Sequence, residues 1–163
     1  MNALLEPRPW RRAMTLQDLE AVLAIEIRAY GWPWSRSNFI DTLAAGQIAE
    51  LLEDRDAGVL GYFVAMTGVD ELHLLNLTVA PEWQGRGHGT ELLDAVVAHG
   101  RDRGLAALWL EVRQGNLGAR ALYARRGFSE VGLRRGYYPA AGRREDAVVM
   151  RLALGAGGAN AVV

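Results

Sequence analysis

Three glycines at alternate positions, Gly85, Gly87 and Gly89, stand between two apolar patterns of different period. The run from Leu72 to Val79 reads as a strand and stops at Ala80-Pro81, whereas Leu92, Leu93, Val96 and Val97 recur at helical spacing. A glycine-rich turn between a strand and a helix start offers free backbone N–H groups at the positive end of the helix dipole, and such a turn binds phosphate. Gly85, Arg86, Gly87, His88, Gly89 and Thr90 therefore read as a pyrophosphate cradle, with a plain connector as the alternative. Two familiar phosphate loops do not fit. A P-loop needs a lysine after its last glycine, and here Gly89 is followed by Thr90. A dinucleotide fingerprint needs G-x-G-x-x-G at an early strand–helix turn, and here the pattern is G-x-G-x-G in mid-sequence.

Two side chains further on could move protons. Glu111 ends an apolar strand pattern with Trp109 as its same-face neighbour, and a carboxylate in apolar surroundings becomes a better base because its charged form is disfavoured. The alternative is a glutamate facing solvent at a sheet end. Tyr123 lies one or two turns into a helix that Asn116 caps, a place where a tyrosine commonly fills the core. His73, His88 and His99 show no metal-ligand spacing, so no metal is expected, and His88 reads as a turn residue. Trp32 and Trp34 flank Pro33 in a loop between helices, where they either roof the core or line an acceptor groove.

These residues need a scaffold, and the pattern supplies an α/β one. Pro9 to Met14 reads as a first strand; Thr15 caps a helix over 16–29, with Asp18 in the capping-box position and Leu16, Leu19, Leu23 and Ile27 as its apolar stripe. Ser35 caps a second helix reaching about Leu43. Ile48–Leu52 and Val59–Thr67 form a hairpin around a polar turn ending in Gly58. The strand from Glu71 to Val79 is apolar on nearly every residue, as a central strand should be. After the glycine turn, its helix stops near Arg103-Gly104. In the strand over 105–113, Leu108, Leu110 and Val112 share one face; Ala107, Trp109 and Glu111 share the other. A short helix from Asn116 ends at Gly127, Phe128–Val131 and Gly136–Tyr138 belong to one strand or two, and Ala147–Leu152 to a last one. Residues 1–154 read as a single domain, and the small-residue stretch 155–163 as a flexible tail.

Composition narrows the function classes. The chain has 163 residues, half of them hydrophobic, and a formal charge of −1, which argues against a general nucleic-acid binder. It contains no cysteine, so a thiol nucleophile and thiolate metal sites are excluded, and all 18 of its basic residues are arginines, which removes Schiff-base chemistry. No apolar run suits a membrane span and no leader pattern is seen, so the expected address is the cytoplasm. Between Arg113 and Arg144 lie eight arginines and one acid, Glu130, read as a solvated face, a phosphate contact or an attraction for an acidic partner.

The Gln84-x-x-Gly87-x-Gly89 pattern resembles the coenzyme A pyrophosphate motif of the GNAT N-acyltransferases. Asn76-Leu77-Thr78-Val79-Ala80-Pro81, Leu108 to Arg113, Asn116, Ala121-Leu122-Tyr123 and Gly127-Phe128 are similar to the consecutive core motifs of that superfamily. Trp32-Pro33-Trp34-Ser35, Trp109-Leu110-Glu111-Val112-Arg113 and Arg134-Arg135-Gly136-Tyr137-Tyr138-Pro139, followed by Arg144-Glu145-Asp146-Ala147, resemble one branch, the bacterial ribosomal-protein-alanine N-acetyltransferases. The departures are Gly136, where the branch often has asparagine, and Leu77-Thr78, where it often has isoleucine-alanine; neither position is expected to need its side chain.

The resemblance implies the GNAT fold, a mixed, mostly antiparallel central sheet with helices on both faces and two strands splayed at the acyl-CoA site. It implies acetyl-CoA as co-substrate and the N-terminus of a ribosomal protein as acceptor. Leu77, Thr78 and Val79 would contact the pantetheine arm through backbone, Gly85 to Thr90 would hold the pyrophosphate, and Asn116 would hydrogen-bond the cofactor. Glu111 would act as base and Tyr123 as acid, with Trp32, Trp34, Tyr137 and Tyr138 lining the peptide groove. A transferase acting on another amine and a non-catalytic acyl-CoA-binding module are the alternatives.

Overall fold

Apolar alternation and turn residues together produce seven strands, which hydrogen-bond in the order β1-β2-β3-β4-β5-β7-β6 in the computed structural model. It describes residues 8–155; apart from Gly155, the expected tail lies outside the described residues. The strands are β1 (Trp10–Ala13), β2 (Ile48–Asp54), β3 (Gly58–Thr67), β4 (Glu71–Val79), β5 (Ala107–Arg113), β6 (Ser129–Tyr138) and β7 (Glu145–Ala153). The helices are α1 (Leu19–Ala29), α2 (Arg36–Ala44), α3 (His88–Asp102) and α4 (Leu117–Arg125). The pairs β1–β2, β5–β7 and β6–β7 are antiparallel and β4–β5 is parallel, so this is an α/β fold on a mixed sheet. No helix among the described residues is long and apolar enough to cross a membrane.

The chain divides into two compact units, one reaching from the N-terminal side to Val64 and including Leu77–Leu92. In that unit the Thr15 N–H and hydroxyl both donate to Asp18 Oδ2, at 2.8 and 3.1 Å, in the expected capping position. The same carboxylate takes two hydrogen bonds from Arg12, which holds it below the ordinary aspartate range despite partial burial. Leu16 to Asp18 form a single 3-10 turn, however, and α1 begins only at Leu19.

The buried face of α1 is Leu19, Val22, Ile25 and Glu26, whereas Leu16 and Ile27, expected on the apolar stripe, are 61 % and 65 % exposed. The reason is a buried carboxylate. Glu26 is 1 % exposed and accepts from the Tyr62 hydroxyl at 2.6 Å and from the Trp34 N–H at 2.9 Å. A charged residue in the core stripe is admissible when it is hydrogen-bonded, but it hides the stripe from a count of apolar residues. Ser35 caps α2 as expected, accepting from the Asn38 N–H at 3.1 Å. The β2–β3 turn closes on Asp54, whose Oδ2 accepts from the Asp56 and Ala57 N–H groups, both at 2.9 Å.

In the second unit, Ala65–Asn76 with the chain from Leu93 onward, β4 and β5 pair from Glu71–Ala107 to Leu74–Leu110. Glu111, Val112 and Arg113 lie past that last parallel pair, while β5 keeps its antiparallel ladder with β7 from Ala107 to Arg113. Leu108, Leu110 and Val112 are buried, and Trp109, Glu111 and Arg113 are half-buried, the face assignment that alternation predicts. On β4 the alternation is sharper than its apolar composition suggests: Leu72 and Leu74 are buried, His73 and Leu75 are not. The segments expected as one strand or two are the single strand β6, interrupted by register shifts between Glu130 and Gly132 and between Arg134 and Tyr138.

Gly61 on β3 marks the tightest approach in the first unit. A Cβ there would lie 2.5 Å from the Thr78 carbonyl oxygen, 3.2 Å from Val79 Cα and 3.1 Å from Leu92 Cδ1. Backbone cannot yield as a side-chain tip can, so Gly61→Ala should lower unfolding free energy by about 1–3 kcal/mol. Gly100→Ala, which meets side-chain tips alone, Leu154 Cδ1 at 2.5 Å and Leu72 Cδ2 at 3.5 Å, should cost less. Urea denaturation of the two variants checks the order, and an equal or smaller loss for Gly61→Ala would contradict it.

Candidate active site

In the turn after β4, Gly85 and Gly87 have φ of 77° and 87°, a region open to glycine and strained for most other residues. A Cβ added at either would meet nothing within 4 Å, so the glycines serve backbone conformation and leave their outer side open. α3 starts at His88, and the Glu91 N–H closes the first helical turn onto Gly87 O at 3.1 Å. The N–H groups before it are those a helix leaves without an intrahelical acceptor, so the donor set suits a diphosphate. His88 differs from its reading as a turn residue. It is the first residue of α3, only 8 % exposed, and its Nε2 is buried without a hydrogen-bond partner.

The end of β4 is held from two sides within the same unit. Tyr30 donates to Leu77 O at 3.1 Å and shares a 2.7 Å hydrogen bond with the Thr78 hydroxyl, while Gln84 Nε2 donates to Val79 O at 3.1 Å. Desolvation pushes the Tyr30 phenol up to about 12, so it is protonated across the working pH range. The Thr78 hydroxyl is buried and bonded, so that side chain helps to fix the end of β4, apart from any backbone contact to a cofactor. Trp34 is half-buried and packs on Phe39 with ring centroids 5.0 Å apart, so it roofs the core, whereas Trp32 is 48 % exposed.

The second unit carries the residues read as acid and base. Glu111 is not the carboxylate in apolar surroundings that the sequence suggests. Its side chain is 9 % exposed, Oε2 lies 2.5 Å from His73 Nε2, and Oε1 lies 3.4 Å from Arg134 Nη2. Burial alone would raise its pKa, but the hydrogen bond from His73 and the electrostatic influence of His73 and Arg134 outweigh burial and place it below the ordinary glutamate range. The expectation of a base strengthened by burial is therefore corrected: two cationic or proton-donating neighbours win over desolvation.

Arg113 extends the same face, donating to Glu145 Oε1 at 3.1 Å and to Pro139 O at 2.9 Å while stacking 4.5 Å from the Tyr138 ring centroid. Tyr137 and Tyr138 meet edge to face at 4.9 Å, with Arg134 over Tyr137 at 5.4 Å. Burial and the neighbouring Tyr137 and Glu111 push the Tyr138 phenol well above its usual range. Asn116 caps α4 through Oδ1, which accepts from the Ala119 N–H at 3.2 Å. Tyr123 is 7 % exposed with its ring against Phe128 at 5.6 Å.

Gly136 has φ of 59°, donates its N–H to Asp146 Oδ1 at 2.8 Å and takes a hydrogen bond from Arg144 on its carbonyl. Asparagine tolerates that left-handed conformation better than most residues, so the asparagine that the resemblance leads one to expect would fit this backbone too. Of the eight arginines between 113 and 144, five have partners inside the unit: Arg113, Arg120, Arg126, Arg134 and Arg144. Sequence reasoning passed over His73, weighed only as a metal ligand, and Arg134. The signal for His73 was available: strand alternation puts it on the face that carries Trp109, its register partner, and Glu111.

Comparison with known proteins bears on the family and the fold. The sequence pattern of the acetyltransferase (GNAT) family matches residues 19–128. The chain is 38 % identical to the [ribosomal protein bS18]-alanine N-acetyltransferase of Escherichia coli K12 over 135 residues, 83 % of this chain and 90 % of that one. It is 36 % identical to the enzyme of the same name from Haemophilus ducreyi over 139 residues, 85 % of this chain and 95 % of that one. The crystal structure of the ribosomal-protein-S18-alanine N-acetyltransferase from Escherichia coli superposes with a TM-score of 0.84 at 34 % identity, covering 95 % of this chain and 99 % of that one. The chain belongs to the acetyltransferase (GNAT) family and is an acyltransferase.

Proposed function

We propose that this protein transfers acetyl from acetyl-CoA to the α-amino group of an alanine-starting protein N-terminus, that of a small-subunit ribosomal protein. The observation that carries the reading is the 38 % identity, spread over 83 % of the chain, to an enzyme named for that reaction. Such a substrate implies a cytoplasmic enzyme.

Acetyl-CoA supplies an activated thioester carbonyl. The open N–H groups of Gly85 to Thr90 hold its diphosphate, and the backbone of Leu77 to Val79 receives the pantetheine arm. The Val79 N–H serves the thioester oxygen as an oxyanion donor, and Asn116 adds a hydrogen bond from the start of α4. Leu77 and Val79 carbonyls already bonded to Tyr30 and Gln84 keep a second lone pair each and are held in place by those bonds. Trp32 and Trp34 in the first unit, and Tyr137 and Tyr138 in the second, are the side chains proposed to contact the peptide.

An N-terminal amine has a pKa of about 7.7–8.0, so most of it is protonated near neutrality and cannot attack. The Glu111 site removes that proton. The amine then attacks directly in a ternary complex, because a chain without cysteine cannot form an acetyl-cysteine intermediate. Tyr123 protonates the leaving thiolate.

Two measurements test the reading. Mass spectrometry after incubation with acetyl-CoA and an alanine-starting peptide should locate one acetyl group on the α-amine; modification of a lysine side chain alone would refute the proposed acceptor. Glu111→Gln should lower kcat by about 10²–10⁴-fold while leaving acetyl-CoA affinity within about two-fold. Unchanged turnover would remove Glu111 from the mechanism.

A further inference from the structure

We propose that His73, oriented by Glu111, is the group that accepts the proton of the acceptor amine, a role that rests on the acetyl-transfer reading above. Both oxygens of Glu111 are committed, Oε2 to His73 and Oε1 to Arg134, and its side chain is only 9 % exposed. His73 beside it is 31 % exposed. A carboxylate and an unprotonated ring nitrogen cannot face each other at 2.5 Å, because two lone pairs would meet. His73 Nε2 therefore carries its hydrogen toward Glu111, and Nδ1 keeps the lone pair.

Acid–base chemistry points the same way. A carboxylate held ionised by two neighbours is a weak proton acceptor, and a general base works best when it titrates near the operating pH. Imidazole is the side chain with that property. The groups facing the pair are Glu111 and Arg113 from β5, Arg134 and Tyr138 from β6, and Glu145 and Arg151 from β7, the last stacked over Trp109 at 5.5 Å; Glu71 shares the β4 face. Glu111 is the one in hydrogen-bond contact with the imidazole.

The step balances as follows. An N–H bond of the ammonium group breaks, its electron pair stays on nitrogen, and the proton passes to His73 Nδ1, directly or through one water. The imidazolium so formed is neutralised by the Glu111 carboxylate. The nitrogen pair forms the C–N bond, the C–S bond breaks with its pair going to sulfur, and the second proton lost by nitrogen ends on sulfur through Tyr123. His73 then returns its proton to solvent.

The test is the kinetics of His73→Gln and His73→Ala with acetyl-CoA and an alanine-starting peptide, from about pH 5.5 to 9. Glutamine can still donate a hydrogen bond to Glu111 but cannot take a proton. Expected are a fall in kcat of about 10²-fold or more in both variants near neutral pH, unchanged KM for acetyl-CoA, and a deficit that shrinks toward about pH 9, where the acceptor amine is already unprotonated. Added imidazole should restore part of the turnover of His73→Ala. In parallel, ¹H–¹⁵N spectra of the wild-type ring should show the Nε2–H tautomer with a far-downfield proton that disappears in Glu111→Gln. If His73→Gln works as well as wild type, or if the ring is the Nδ1–H tautomer, the proposal is overturned while acetyl transfer stands. A wild type that acetylates no α-amine sinks both.

Discussion

One carboxylate joins three strands on the exposed side of the second unit. Glu111 of β5 receives His73 from β4 and Arg134 from β6, so its charge is balanced on both oxygens although its side chain is almost wholly covered. Burying an unpaired carboxylate is expensive, and burying one with two hydrogen-bonding or cationic partners is tolerable. An ionised group held in this way fixes the tautomer and direction of its neighbours, which a loosely placed glutamate cannot do.

Backbone constraint shapes the glycine turn as charge shapes the surroundings of Glu111. Gly85 and Gly87 adopt left-handed φ with open space beside them, so the turn can present N–H groups without a side chain in the way. Gly61 works by the opposite logic, because a Cβ there would strike the backbone of Thr78. Close approach of β3 to the end of β4, together with the hydrogen bonds from Tyr30 and Gln84, leaves Leu77 to Val79 little freedom.

A second buried carboxylate organises the packing around α1 in the first unit. Glu26 ties the Trp34 backbone to α1 and to Tyr62 of β3, so the position of the Trp32-Pro33-Trp34 loop depends on the core rather than on the loop's own turn. Removing one partner from such a set leaves the others desolvated and unpaired, which costs more than the bond itself is worth.

Local chemistry was readable in the chain alone. Period-two alternation located β4 and β5 and put Trp109 with Glu111 on one face; Thr15, Ser35 and Asn116 announced helix starts; glycines at alternate positions marked the turn. Each of these depends on residues within a few positions of one another, where steric and hydrogen-bonding rules act directly. Contacts between distant positions decided the rest. The inward face of α1 turned on Glu26 meeting Tyr62, 36 residues away. The ionisation of Glu111 turned on His73, 38 residues before it, and on Arg134 after it. A pKa depends on distances to charges and on burial, and neither exists until strands from separate parts of the chain lie side by side.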